Sequence, residues 1–201
     1  MHARSTTFHG RPENIDAGIA FVRDEVAPML NGIDGCQGLS LLVDRETGLC
    51  IATTSWESEA AMLGSEEQLR PVRERGSDIL GGSTAVDLWE VTAMHHHGQH
   101  GACCRVSWLQ GDPVPLTETF RARLLPRLEE TAGFCSASLL VKRSTGLGCA
   151  TTVWDDRAAM EASRAAATDM RRQAADAAGG EILDVHEFEL AYAHLHVPET
   201  V

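Results

Sequence analysis

The sequence predicts an α+β protein that is built from two βαββαβ repeats. Residues 35–62 recur as residues 133–160, and 16 of the 28 aligned residues are identical at a constant offset of 98. Agreement of this length at one offset indicates an internal duplication. Each copy alternates β-prone runs with helical patterns and ends its second helical segment at paired glycines, 81–82 and 179–180. With 201 residues in all, each repeat has the size of one small domain.

The first strand and the first helix of each repeat follow from residue type and spacing. Residues 4–9 and 105–109 are short β-prone runs. Apolar residues at helical spacing then predict a helix with one buried stripe. The stripe is Ile15, Ile19, Val22, Val26 and Leu30 in repeat one, and Phe120, Leu124 and Leu128 continue it in repeat two. Pro28 and Pro126 fall late in these helices, so we expect the final turns to bend.

A hairpin, a second helix and a last strand complete each repeat. Predicted strands 39–43 and 49–54 flank a loop ending at Gly48, and strands 139–141 and 149–153 flank a loop ending at Gly146. Acidic residues after the second hairpin strand favour a helix start. Pro71 predicts a break in the second helix of repeat one, whereas the alanine-rich residues 158–178 predict a more continuous helix in repeat two. The last strands are predicted at 84–91 and 182–190.

Two strand–helix–strand units per repeat predict a four-stranded antiparallel sheet that helices cover on one face. The other face would expose more apolar surface than monomers tolerate. We therefore expect the repeats to pack sheet-to-sheet in one chain, as an intrachain pseudo-dimeric α+β barrel. The predicted boundaries are residues 1–94 for repeat one, 95–101 for a His-rich linker and 102–201 for repeat two.

Composition excludes several classes of partner. The net charge of −12 disfavours nucleic acid and anionic membrane surfaces. No apolar run reaches the length of a signal peptide or of a membrane span. The six cysteines show no CxxC spacing, which indicates reduced thiols. We expect a cytoplasmic protein, either a monomeric pseudo-dimer or a homodimer.

Two tryptophan-led segments carry a family resemblance. Residues 56–62 (WESEAAM) and 154–160 (WDDRAAM), with the preceding Pro28 to Gly35 and Pro126 to Gly133 spacings, resemble the antibiotic biosynthesis monooxygenase family. The resemblance implies a ferredoxin-like fold for each repeat and a dimeric α+β barrel, here fused in tandem. The family includes monooxygenases, haem-degrading enzymes and proteins without known activity, so the resemblance specifies the fold better than the function.

The chain departs from the catalytic patterns of this family. Its cofactor-independent oxidases carry an asparagine four residues before the tryptophan and a tyrosine six residues after it. Those positions hold residues that cannot hydrogen-bond to a phenolate, namely Ala52, Met62, Ala150 and Met160. The haem-degrading members use an asparagine on the first strand and a histidine on the second helix. Neither is present, so we expect no haem degradation.

The candidate site residues are of three kinds. A ligand pocket between sheet and helices is predicted from Trp56, Met62, Trp89, Trp154, Met160, Arg73 and Arg171, although large aromatics more often only pack the core. Aligning Trp89 with His186 makes His186 a candidate general base, with His9 as another. His95, His97 and His100 are weak metal candidates, since histidine-rich linkers are commonly solvated.

These observations leave three functions open. The first is binding of a small apolar or aromatic molecule, with oxidation by a cofactor-independent monooxygenase reaction. The second is a non-catalytic ligand-binding or regulatory module, which the missing asparagine and tyrosine favour. The third is metal binding by the histidine linker. We expect repeat two to hold the open space, because Ala162, Ala165 and Ala166 fill less volume than Leu69 and Val72.

Overall fold

The computed structural model describes residues 1–96 and 101–195 and confirms the α+β class. Its strands are β1 (His2–His9), β2 (Cys36–Val43), β3 (Leu49–Trp56), β4 (Ser83–His96), β5 (Cys103–Gln110), β6 (Phe134–Lys142), β7 (Leu147–Trp154) and β8 (Glu181–Leu195). Its α-helices are α1 (Ile15–Phe21), α2 (Ala27–Leu30), α3 (Glu59–Gly64), α4 (Glu66–Leu80), α5 (Pro113–Thr119), α6 (Leu125–Glu129), α7 (Arg157–Ala162) and α8 (Arg164–Ala177). None of these helices is long and apolar enough to cross a bilayer.

The chain forms two compact units. Unit 1 comprises Met1–Trp89 together with β8 from Glu189 onward, and unit 2 comprises Glu90–Phe188. In unit 1, β3 pairs antiparallel with β1 and β2, and β2 pairs with the end of β8. In unit 2, β7 pairs with β5 and β6, and β6 pairs with the end of β4. The early part of β4 also borders β1 in unit 1, and the early part of β8 borders β5 in unit 2. Each unit therefore contains the predicted four strands of its repeat, and the late part of β8 or β4 adds a fifth strand beside β2 or β6.

The predicted turns are confirmed at the glycines that require positive φ. Gly48 and Gly146 end the hairpin loops with φ of 79° and 74°. Gly81 ends α4 in the left-handed region with φ of 73°. Strand β4 runs to His96, so two residues of the predicted linker 95–101 belong to a strand.

Both first helices widen by one turn of π-helix just before the equivalent prolines of the two repeats. The π turns are Val22–Val26 and Phe120–Leu124. In each, the amide of the next residue bonds five residues back: Ala27 to the Val22 carbonyl, and Leu125 to that of Phe120. Pro28 and Pro126 lack an N–H and crowd the preceding turn, and a wider turn relieves that crowding. The predicted irregularity is thus a π turn.

The second helix breaks at a different place from the one that Pro71 predicts. Helix α4 continues through Pro71, which is exposed, so the carbonyl left without a backbone donor can face water. The break lies at Ser65 between α3 and α4, and repeat two has the same break at Ser163. Both predictions about these helices were therefore wrong, since Pro71 does not break the helix and residues 158–178 are divided just as their repeat-one counterparts are. The helices break at these serines because each serine side chain contacts a buried arginine of its own repeat.

Candidate functional site

A buried arginine on the first strand of each repeat fixes the break between its two last helices. Arg4 is 3% exposed and donates from Nη1 to Ser65 Oγ at 2.9 Å and from Nη2 to the Met62 carbonyl at 2.5 Å. The Ser65 hydroxyl also donates to the Met62 carbonyl at 2.7 Å. The guanidinium thus satisfies polar groups that the interrupted helix leaves free.

Repeat two builds the same arrangement around Arg105. Strand pairing makes it the counterpart of Arg4, because Arg4 pairs with Thr54 and Arg105 with Thr152, the equivalent threonine. Arg105 donates to Ser163 Oγ at 2.9 Å and to the Met160 carbonyl at 2.6 Å. The sequence analysis missed both arginines. The available signal was that each is the first residue of a predicted first strand, 4–9 or 105–109, which contains no other arginine, lysine or acidic residue.

The two arginines differ at Nε. In unit 2, Glu187 Oε1 accepts from Arg105 Nε at 3.0 Å and from Nη2 at 2.8 Å. Glu187 also pairs with Arg164, and the hydrogen bond from Arg164 is the main reason why its pKa is lowered, against the opposing effect of burial. In unit 1, Arg4 Nε is buried and has no hydrogen-bond partner among the described residues. An unsatisfied N–H of a buried cation costs more than the roughly 1–3 kcal/mol that a neutral group costs.

Arg4 borders an apolar cavity between the sheet and the helices of unit 1. The cavity has a volume of about 70 Å³. Its walls include Gly18 and Val22 from the first helix and Val72 and Gly76 from α4. Nearly all of its other lining side chains are apolar, with Thr6 and Thr54 among the exceptions.

Arg73 of α4 borders the same cavity and shares a carboxylate with Arg4. Glu66 Oε1 accepts from Arg73 Nη2, and Glu66 Oε2 lies 3.3 Å from Arg4 Nη2. Burial raises the pKa of Glu66, but the hydrogen bond and charge of Arg73, with the charge of Arg4, lower it overall. Burial also lowers the pKa of Arg4, and the nearby Arg73 charge adds to this effect. Arg73 Nη1 is a second buried N–H without a partner among the described residues.

Repeat two fills the space that repeat one leaves open. At the constant offset of 98, Gly18, Val22 and Val72 correspond to larger residues that are buried in the core of unit 2, namely Leu116, Phe120 and Met170. The expectation of open space in repeat two rested on Ala162, Ala165 and Ala166. These alanines lie at exposed positions on the outer side of α7 and α8, so their small volume does not open the interior.

The predicted pocket residues other than Arg73 lie elsewhere. Trp56 and Trp154 are fully buried, and each indole Nε1 donates to a threonine two residues earlier on its strand. Met62 and Met160 are buried beside them in the apolar cores. Arg171 is the repeat-two counterpart of Arg73, and burial lowers its pKa together with the charge of Arg105.

The strand register corrects the alignment that paired Trp89 with His186. Glu90 pairs with Val141, and Glu189 pairs with Val43, the residue equivalent to Val141. Trp89 therefore corresponds to Phe188, and both are buried. The ring of His186 lies against that of Phe188, with 5.2 Å between centroids. His9 is exposed at the end of β1 and does not line the cavity.

Within the described part of the histidine cluster, His95 contacts a carboxylate and an aromatic ring of the protein. His95 Nε2 lies 2.9 Å from Glu129 Oε1, and the His95 ring stacks on Phe134. Within residues 1–96 and 101–195, no group of three potential ligands is arranged to hold a metal ion. His97 and His100 lie outside the described residues.

Comparison with known sequences finds close relatives. The chain is 48% identical to the uncharacterised protein Rv2557 of Mycobacterium tuberculosis, over all of this chain and 92% of that protein. It is 45% identical to Rv2558 of the same organism, over all of this chain and 88% of that protein. No profile of a known protein family matches the chain.

Solved structures share the fold at low identity. A Fusobacterium nucleatum protein covers 96% of this chain and 94% of its own at 14% identity, with a TM-score of 0.68. An anthrone oxidase-like protein covers all of this chain and 94% of its own at 13% identity, with a TM-score of 0.66. A ferredoxin-fold protein of Listeria monocytogenes, related to antibiotic biosynthesis monooxygenases, covers 94% of each chain at 10% identity, with a TM-score of 0.55.

Proposed function

Because the chain belongs to the family of Rv2557 and Rv2558 and has the ferredoxin-like fold of the antibiotic biosynthesis monooxygenase-like proteins, we propose that it binds a small, largely apolar molecule in the unit 1 cavity. The observation that carries this proposal is the cavity itself. Protein interiors are close-packed, and an apolar void forfeits dispersion contacts along its walls. A ligand that fills the void would restore those contacts.

The volume limits the ligand to a compact molecule. An engineered apolar cavity of about 150 Å³ binds benzene or xenon. The unit 1 cavity, at about 70 Å³, has roughly half that volume. We therefore expect xenon to fit without rearrangement, and benzene to require movement of the lining side chains along α4 and the π turn.

The lining favours binding over catalysis. Among the described residues that line the cavity there is no histidine, carboxylate or tyrosine that could act as a general base. Cys50 also lines it, but burial and the charge of Asp44 raise the pKa of its thiol to about 11, so it is protonated at neutral pH. The chemistry present is apolar contact plus two guanidinium groups.

Cofactor-independent oxidation of a small aromatic molecule is the second candidate. The resemblance to an anthrone oxidase-like protein favours it, together with the shared fold. The proposed bases for such a reaction, His9 and His186, do not line the unit 1 cavity, so the oxidised molecule would bind outside it. Oxygen consumption with small aromatic hydroquinones, compared between the protein and its His186→Ala variant, tests this candidate.

The binding proposal is tested with xenon and a cavity-filling variant. Methyl resonances of the lining residues are recorded by NMR under increasing xenon pressure. We expect saturable shifts at Ile15, Val22 and Leu69 in the natural protein. Val22→Phe copies Phe120, the residue that occupies the equivalent position in repeat two, and should abolish those shifts.

A surface substitution of the same kind is the matched control. Val114 is half exposed on α5, so Val114→Phe adds the same ring without touching the cavity. Its xenon response should equal that of the natural protein. Xenon shifts that persist unchanged in Val22→Phe, or that never appear in the natural protein, would show that the cavity does not take a ligand.

A further inference from the structure

We propose that Arg4 and Arg73 form a carboxylate subsite at the charged end of the unit 1 cavity, so that the natural ligand is a small monocarboxylic acid with a compact apolar body. This inference rests on the proposed binding function and specifies the chemical class of the ligand. Two guanidiniums on an otherwise apolar cavity are the feature that carries it.

Each arginine retains one buried donor for a ligand. Arg4 has committed Nη1 and Nη2 to Ser65, Met62 and Glu66, and its Nε has no partner among the described residues. Arg73 has committed Nη2 to Glu66, and its Nη1 has none either. Buried polar groups are almost always hydrogen-bonded in native proteins. A carboxylate has two oxygens and could accept one hydrogen bond from each arginine.

Repeat two shows which kind of group accepts the hydrogen bond from Nε of the first-strand arginine. There a carboxylate, that of Glu187, accepts from Arg105 Nε. The corrected strand register makes Leu88 the unit 1 counterpart of Glu187, and Leu88 offers Arg4 no acceptor. The acid that repeat two provides within the chain is therefore missing in repeat one, and a ligand carboxylate would take its place.

The local charge agrees with an anionic ligand. Arg4 and Arg73 share a single carboxylate, that of Glu66, which is also 3.5 Å from the exposed Arg70. Glu66 is partly exposed, so water screens its charge more than it screens Arg4. One further negative charge would balance the two arginines. A neutral ligand of the same shape would leave one cation without a counter-charge.

The experiment uses isovalerate and isovaleramide, which share a carbon skeleton and differ in charge. Binding to the full chain is measured by NMR titration at neutral pH. We expect isovalerate to bind at least about tenfold more tightly than isovaleramide, because hydrogen bonds to charged groups are the stronger ones. Arg73→Gln should remove that preference, whereas Arg171→Gln, at the equivalent position of repeat two, should leave it intact.

A second variant supplies the missing acid. Leu88→Glu copies Glu187 and should weaken isovalerate binding about tenfold or more relative to Leu88→Gln, which lacks the charge. Leu88 is 40% exposed, so both variants are expected to fold. Equal affinities for the acid and the amide in the natural protein would overturn the subsite, as would equal affinities of Leu88→Glu and Leu88→Gln for isovalerate. Xenon binding that persists in that case would leave the apolar cavity, and with it the proposed function, standing.

Discussion

Replacing Glu187 with glutamine tests the electrostatic reasoning about the two repeats. The carboxylate of Glu187 accepts two hydrogen bonds from Arg105, which is 2% exposed, and two from the exposed Arg164. Breaking a buried ion pair by removing one partner typically costs about 3–5 kcal/mol, because the other charge stays buried. The substituted amide keeps one acceptor oxygen, and Glu187 is 19% exposed. We therefore expect Glu187→Gln to lower the free energy of unfolding by about 2–3 kcal/mol.

The assay is urea unfolding at pH 7, with Glu189→Gln as the control. Glu189 lies two residues away on the same strand and pairs with Arg45 at 2.6 Å, but both side chains are more than 40% exposed. Exposed pairs contribute about 0–1 kcal/mol. If Glu187→Gln cost no more than Glu189→Gln, the buried pair in unit 2 would not have the energetic role inferred from its geometry.

The pH dependence supplies a second measure of the same pair. The pKa of Glu187 is lowered in the folded protein. Its contribution to stability is therefore present above the unfolded pKa of about 4.3 and is lost as the pH falls through the lower folded pKa. We expect the difference between the natural protein and Glu187→Gln to shrink steadily below about pH 5. A difference that is constant from about pH 7 to about pH 3 would contradict this assignment.

Trp56→Ala and Trp154→Ala should each cost about 3–5 kcal/mol in urea unfolding, because both indoles are fully buried, and a loss below about 1 kcal/mol would contradict a core role. Residues 1–94 expressed alone lack β8 and leave the edge of β2 unpaired, so they should aggregate or dimerise in sedimentation experiments, and a stable monomer would refute this. Haemin with a reductant should keep its porphyrin absorbance, since neither first strand contains the asparagine, and no second helix contains the histidine, that haem-degrading members use. Formation of a bilin-type product would contradict this.

Local chemistry made most of the fold predictable. The duplication fixed the number of elements, and glycines at Gly48, Gly81 and Gly146 marked turns that only glycine adopts easily. The prolines at Pro28 and Pro126 marked the irregular helices, although the π turn itself could not be inferred. A proline marks where a helical backbone hydrogen bond is missing, but how the helix adapts depends on the surrounding packing.

The candidate site depended on contacts that are distant in sequence. Pro71 gave the stronger local signal for a helix break, but the structure breaks the helix at Ser65. The arginine that stabilises this break comes from a strand 61 residues away. No spacing rule links Arg4 to Ser65. The occurrence of an arginine and a serine at equivalent places in both repeats was the one available signal, and it is visible only when the repeats are compared for polar residues.

Sequence similarity alone gives the wrong alignment of the last strands of the two repeats, because similar residues do not determine the strand register. The match of residues 87–90 (DLWE) with 184–187 (DVHE) is convincing by eye, but strand pairing sets the offset two residues further along. The difference matters because an even shift keeps each side chain on its face and still exchanges its neighbours. Under the wrong alignment Glu187 matched Glu90 and the repeats had the same acids, which concealed the missing acid at Leu88.

The corrected register also explains why the duplicated halves need not share a role. In unit 2 the chain supplies both things that a ligand could supply in unit 1: Phe120 fills the apolar space and Glu187 satisfies the buried arginine. Both substitutions act on the same region between sheet and helices, and both remove a reason to bind a small acid. In repeat two, therefore, no ligand is needed to fill the apolar space or to pair with the buried arginine. Repeat one lacks counterparts of Phe120 and Glu187 but retains the buried arginine, so the small acid that we propose as its ligand matches both the shape and the charge of its cavity.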